Sequence, residues 1–193
     1  MVHGVAIHQK VKLRELSKTS RNIELRLDKN LLVCHPEAQQ AYMAWDAVHK
    51  VQTHSVRLFI PAYVDRFTLP AVSAPDPERK NARIIQFVSH FNEIRLLRQS
   101  SIDKYPFRLL ENANFTAIRE HAWFEVIQLA FGGLDPKTGW ASWRDVINQL
   151  MPEDLIEGFF GKKRLTNRRV CEISGMHSRS LDRQVQRLRK VAK

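Results

Sequence analysis

The period of the hydrophobic pattern changes near Glu37. Before it, Ile23, Leu25 and Leu27 alternate with Asn22, Glu24, Arg26 and Asp28, and this two-residue period predicts a half-buried strand. Asp28-Lys29-Asn30 reads as a turn and residues 31–34 as a return strand, so a hairpin is expected. Val11 and Leu13 give a weaker signal for an earlier strand. From Glu37 onward, Ala38, Ala41, Tyr42, Trp45, Val48 and Val51 recur at helical spacing behind Pro36. Val56, Leu58 and Ile60 alternate again before Pro61, and residues 64–69 fit either a strand or a loop.

Pro70, Pro75 and Pro77 argue against a helix interior or a central strand, so residues 70–81 are expected to form a linker or a long surface loop. Beyond it the pattern reads as helical. Ile84, Phe87, Val88, Phe91, Ile94 and Leu97 predict an amphipathic helix over residues 82–98. Phe115, Ile118, Ala122, Trp123, Phe124, Val126, Ile127, Ala130 and Phe131 leave little polar face, which predicts a helix central to a core and stopped at Gly132-Gly133. Trp143, Val146, Ile147 and Leu150 predict a short helix, and residues 152–160 one more. The expected class is α+β: a mixed strand and helix domain over 1–69, the linker at 70–81, a helical domain over 82–151 and a basic domain over 152–193.

Charge is distributed unevenly. Residues 160–193 carry eleven Lys or Arg against two acids, Glu172 and Asp182, so nearly all of the net charge of +11 lies at one end. With a pI near 10.1, this implies an anionic partner. No apolar run is long enough to span a bilayer, and His3, His8 and Gln9 interrupt any signal-peptide core, so no membrane partner is expected. Cys34 and Cys171 are too few for a bridged framework or a thiolate metal site, and a reducing cytoplasm is the expected setting.

Within the basic end, residues 170–190 read as two short helices joined at Gly175, a residue that takes positive φ cheaply. Val170, Ile173 and Met176 supply inward apolar side chains from the first helix and the turn, and Leu181, Val185 and Leu188 from the second. Cys171 fits a small, buried position, and Ser178 is a better cap for the second helix than His177. Arg179, Asp182, Arg183, Gln186, Arg187 and Lys190 are left facing outward. Arg suits guanine edges, Gln suits adenine, and further cations suit phosphates, so double-stranded DNA is the expected partner.

Val170-Cys-Glu-Ile-Ser-Gly-Met and the following Ser-Arg-Ser-Leu-Asp-Arg resemble the helix-turn-helix of LacI-type and related bacterial regulators, whose pattern runs approximately V-A-E-x-A-G-V-S-x-x-T-V-S-R. Val170, Glu172, Gly175, Leu181 and Arg183 match, and Cys171, Ser174 and Met176 are conservative replacements. The resemblance covers about 20 of the 193 residues and departs from the family at His177, where the family places Ser. It departs also in placing the motif at the C-terminal rather than the N-terminal end of the chain. It implies a DNA-binding unit, not the family's ligand or remaining fold, and it implies base contacts from Ser178, Arg179 and Arg183. Gln186 is added from the outward face, with phosphate contacts expected from Lys162, Lys163, Arg164, Arg168, Arg169, Arg187 and Lys190.

Other chemistry finds no constellation in the sequence. His3/His8 and His49/His54 are five apart, which does not place both rings on one helical face, so no metal is expected. Asp76-Pro-Glu78-Arg-Lys80 resembles a fragment of a nuclease signature but lies in the proline-rich stretch. Trp45, Trp123, Trp140 and Trp143 could stack on bases, although packing suits them better. No phosphate loop or nucleophile arrangement is present, so neither an enzyme nor a cofactor is expected. The sequence thus predicts a sequence-specific, cytoplasmic, nucleoid-associated DNA-binding protein. Its expected role is transcription regulation, with residues 1–150 serving a homodimer or protein contact. The alternative is a DNA-binding adaptor in a replication, transposition or plasmid-maintenance assembly.

Overall fold

A computed structural model describes residues 13–26, 32–50, 68–80, 83–102 and 104–191. The turn expected at 28–30 and the alternation at Val56, Leu58 and Ile60 lie outside the described residues, as do Val11, Val51, His3, His8 and His54. The chain is α+β, a mixed sheet with helices followed by a helical C-terminal half. It divides into two compact units that do not follow chain order. The α+β unit takes its described residues from 13–42 and 68–125, and the helical unit from 43–50 and 126–191.

Among the described residues of the α+β unit, five strands form one sheet: β1 (Thr19–Arg26), β2 (Leu32–Cys34), β3 (Leu69–Pro75), β4 (Arg83–Phe87) and β5 (Lys104–Glu111), in the order β1-β5-β3-β4-β2. The β1/β5 and β3/β4 pairs are antiparallel, and the β3/β5 and β2/β4 pairs are parallel. The hairpin expected over residues 22–34 therefore does not form, because β1 and β2 lie at opposite edges of the sheet. Each finds a distant partner in place of its sequence neighbour, and Leu13 is not in a strand.

The proline-rich stretch is also not what its composition suggests. Leu69–Pro75 is the central strand, and the breaks expected at 69 and 81 fall inside the α+β unit. The prolines are tolerated because of where the ladders begin. Pairing with β4 starts at Ala71, so Pro70 is flanked by β5 alone, and Pro75 is the last residue of the strand. Asp76–Lys80 is a turn in which the Asp76 Oδ1 accepts the Glu78 N–H at 2.9 Å. Arg83 closes the hairpin by donating from Nε to Ser73 Oγ (2.7 Å) and from Nη2 to Ser73 O (2.8 Å).

The amphipathic helix expected over 82–98 is a strand followed by a helix, β4 and then α2 (Phe91–Gln99). Ile84, Phe87 and Val88 satisfy a helical period, but these β-branched and aromatic residues pair with β3 and β2 instead, up to Phe87. His90 separates the two elements in a left-handed conformation (φ 61°, ψ 46°). The Glu125 carboxylate accepts the N–H groups of His90 and Phe91 at 2.6 Å each, which caps the start of α2. The helical reading also missed β5, whose buried Tyr105, Phe107 and Leu109 alternate around Pro106 and Arg108. Pro106 opposes Glu24 on β1 and precedes the β3 ladder, which begins at Phe107.

The helix α1 (Gln39–His49) follows a 3-10 turn at Pro36–Ala38, where His35 Nδ1 accepts the Glu37 N–H at 3.2 Å. The helix α3 (Phe115–Leu129) buries Ala117, Ile118, Ala122, Trp123, Val126 and Ile127 as expected, although Phe115 at its start is 58% exposed. After a short 3-10 turn the chain reverses at Gly133 (φ 94°). The helical unit continues with α4 (Gly139–Leu150), α5 (Glu153–Phe160), α6 (Asn167–Ser174) and α7 (Ser178–Val191). Its interior includes Trp143, Ile147, Phe159, Phe160, Leu165, Val170, Ile173 and Leu181. The Trp143 ring meets Phe160 edge-on, with centroids 6.0 Å apart, and donates from Nε1 to Val126 O at 3.3 Å. Trp45, Trp123 and Trp143 are buried.

Candidate nucleic-acid interface

The basic residues gather on α6, α7 and the segment before them. Gly161 ends α5 in a left-handed conformation (φ 70°), and Lys162, Lys163 and Arg164 follow as an exposed loop. Leu165, 1% exposed, then turns inward. It is fixed by a double hydrogen bond from α4: Asn148 Nδ2 donates to Leu165 O at 2.9 Å, and Asn148 Oδ1 accepts the Leu165 N–H at 2.8 Å. An exposed cationic loop is thus held at its base by one buried hydrophobe and one amide.

Thr166 starts α6, its hydroxyl accepting the Arg169 N–H at 3.2 Å. Val170 and Ile173 point inward, three residues apart. Cys171, expected to be buried, is only half-buried because it sits about a third of a turn round from Val170. Burial, with Asp182 and Glu172 nearby, pushes its thiol up. Gly175 ends the helix at φ 66°, ψ 9°. Its backbone is one that L residues avoid, while a Cβ there would meet nothing within 4 Å.

The second helix starts differently from expectation. His177, not Ser178, is the cap. Its Nδ1 accepts the Arg179 N–H at 3.3 Å, and its carbonyl accepts the Ser180 N–H at 2.9 Å. Ser178 is the first residue of α7 and is exposed. The imidazole thus does the work that a Ser side chain would do at that place.

The inward stripe of α7 is Leu181 and Gln184, both fully buried, with Val185 and Leu188 half-buried. Gln184, 1% exposed, was not legible as an inward residue. Its Oε1 accepts the Ala141 N–H at 3.1 Å, and its Nε2 donates to Pro136 O at 2.9 Å. Ala141 lies in the first turn of α4, where backbone donors lack intrahelical partners, so Gln184 caps α4 from a distance. Asn148, Gln184 and Thr166 are the positioning residues that the sequence did not reveal, while His177 takes the cap for which Ser178 was preferred. Of these, only Thr166 had a local signal, a capping residue type ahead of an apolar period.

Opposite that stripe, Arg179, Arg183, Gln186 and Lys190 are all exposed and lie within about 40° of the outermost line of the helix, at 100° per residue. Arg187 is exposed on the flank. Among the described residues, no ion pair engages the side chains of Arg179, Arg183, Arg187 or Lys190. Two other expected phosphate contacts are already occupied. Arg168 (Nε, 3.0 Å) and Arg169 (Nη1, 3.1 Å) both meet the Glu172 carboxylate, and the Arg169 side chain is only 21% exposed. These two arginines hold the exposed Glu172 carboxyl below the usual range.

The remaining chemistry is sparse. Both cysteines are free thiols, and burial pushes Cys34 up to about 12, so it stays protonated at neutral pH. Among the described residues, no group of three or more His, Cys, Asp or Glu is placed to hold a metal ion, and no helix is long and apolar enough to cross a membrane. Comparison with protein-family models, curated proteins and solved structures finds no match to this chain.

Proposed function

We propose that this protein binds double-stranded DNA with sequence preference, as a bacterial-type transcriptional regulator in the cytoplasm. α7 enters the major groove, and the loop at 162–164 grips phosphates. The observation that carries this reading is the outward row Arg179, Arg183, Gln186 and Lys190. It is exposed and makes no ion pair among the described residues, and it stands on a helix fixed from behind by Leu181 and Gln184. Charged side chains left without counter-ions on a buried scaffold suit an anionic partner that supplies them. At 14 residues, α7 is about 21 Å long, enough to lie in one groove face.

In this mechanism the roles are divided. Arg179 and Arg183, four residues apart on the outward face, read base edges together with Gln186 and Ser178. Lys162, Lys163 and Arg164 contact phosphates, joined by Arg187 from the helix flank and by Lys190 from the C-terminal end of the outward row. Selection of bound sequences from a random duplex pool tests the reading. Arg179→Ala or Arg183→Ala should cost about 1–3 kcal/mol on the selected site and relax preference at particular bases. Lys163→Ala should weaken all sequences alike and lower the salt slope by about one unit. If all three substitutions cause uniform losses, the basic segment is a non-specific anchor and the regulator reading is wrong.

A further inference from the structure

The DNA-binding reading leaves one acidic residue unexplained. Among the described residues, Glu172 is the carboxylate that meets two arginines of the basic segment, at 3.0 Å from Arg168 and 3.1 Å from Arg169. The other acid there, Asp182, accepts a weak hydrogen bond from Asn167 Nδ2 at 3.5 Å. Arg168 and Arg169 stand in the first turn of α6, which contains no acid. Two cations at the positive end of a helix are an unfavourable arrangement, and a helix start of this kind ordinarily attracts an anion. Glu172, one turn further on, supplies that anion internally.

We propose that Glu172 is an internal counter-anion that a DNA phosphate displaces, so that it sets the affinity of the α6 arginines for the backbone. The proposal rests on the DNA-binding reading. In the free protein the carboxylate holds both guanidiniums. The Arg168 pair is exposed, with Arg168 90% and Glu172 44% exposed at their side chains, whereas the Arg169 side chain is 21% exposed. Such pairs are weak and salt-screened, so a phosphate within a dense array of like charges can replace the carboxylate. Arg168 then turns outward to the phosphate, and Glu172 is released to solvent. Glu172 thereby opposes binding to any duplex, whatever its sequence.

The test uses the full chain and a fluorescein-labelled mixed-sequence DNA duplex, with anisotropy measured across a salt series. Glu172→Gln should bind roughly two- to tenfold tighter than the native chain and steepen the salt slope by about one unit. The gain should disappear when Arg168 and Arg169 are both replaced by Ala. Asp182→Asn changes net charge equally without touching those arginines and should give a smaller gain. If Glu172→Gln binds no tighter, the counter-anion role is overturned; if its gain persists in the double-alanine chain, that role is also overturned and Glu172 is only a general negative charge. If the native chain binds no duplex at any salt, the failure lies with the DNA-binding reading itself.

Discussion

Gly175 and Glu125 each fix one helix boundary with a single residue, Gly175 by ending α6 and Glu125 by capping the start of α2. At Gly175 the strain is purely conformational, because space for a Cβ is open. Gly175→Ala should therefore destabilise the helical unit by about 1–2 kcal/mol, and Gly175→Asn by less, because Asn tolerates the left-handed region. Thermal unfolding measures both, and an Ala variant as stable as the native chain would show that the turn relaxes. Glu125 is opposite in kind. Burial pushes its carboxyl up to about 8, against the backbone N–H groups of His90, Phe91 and Asn92, which pull it down. A carboxyl raised in the folded state stabilises most below its ordinary value near 4.5, and that contribution is lost as pH rises through 8. Unfolding midpoints should therefore fall between about pH 5 and pH 9, and Glu125→Gln should flatten that fall. An unchanged slope in the variant would mean that another group sets it.

Elements here are defined by their partners as much as by their own period. The outward face of α7 was legible because four polar residues recur at helical spacing, and the apolar stripe was legible at Leu181, Val185 and Leu188. Gln184 was not, since a polar residue reads as outward unless a buried donor and acceptor are known to await it. Gln184→Leu would keep the volume but orphan the Ala141 N–H and Pro136 O, at about 1–3 kcal/mol. Asn148→Ala should cost a similar amount by freeing both backbone groups of Leu165. It should also lower DNA affinity beyond the stability loss, because the base of the cationic loop loosens. Urea unfolding and DNA titration on the same samples separate the two effects.

At the scale of the whole molecule, charge can be removed but the basic segment cannot. Lys162, Lys163 and Arg164 are exposed, so replacing all three with Gln should leave the fold intact and reduce the salt slope of DNA binding by about three units. A chain ending at Pro152 behaves differently. It loses Phe159, Phe160, Leu165 and Leu181 from the interior and strips Trp143 of its edge contact with Phe160. Its helical unit should melt at much lower temperature, as followed by tryptophan fluorescence, so deletion cannot isolate the role of the charge.

The sequence by itself determined the α+β class, most of the helices beyond residue 114, the break at Gly175 and the concentration of charge beside it. These are local properties, in which period, capping residue and charge act within a few turns of one another. Tertiary structure decided the sheet. β1 and β2 at opposite edges, Pro70 and Pro75 in a central strand, and β4 and β5 within apparently helical stretches all depend on partners far away in the chain. Whether Ile84 and Phe87 fill a helix face or a strand is settled by the hydrogen-bonding edge offered to them, which no local period encodes. The same reason hid Asn148 and Gln184: a polar side chain becomes structural only when a distant backbone group arrives unpaired beside it.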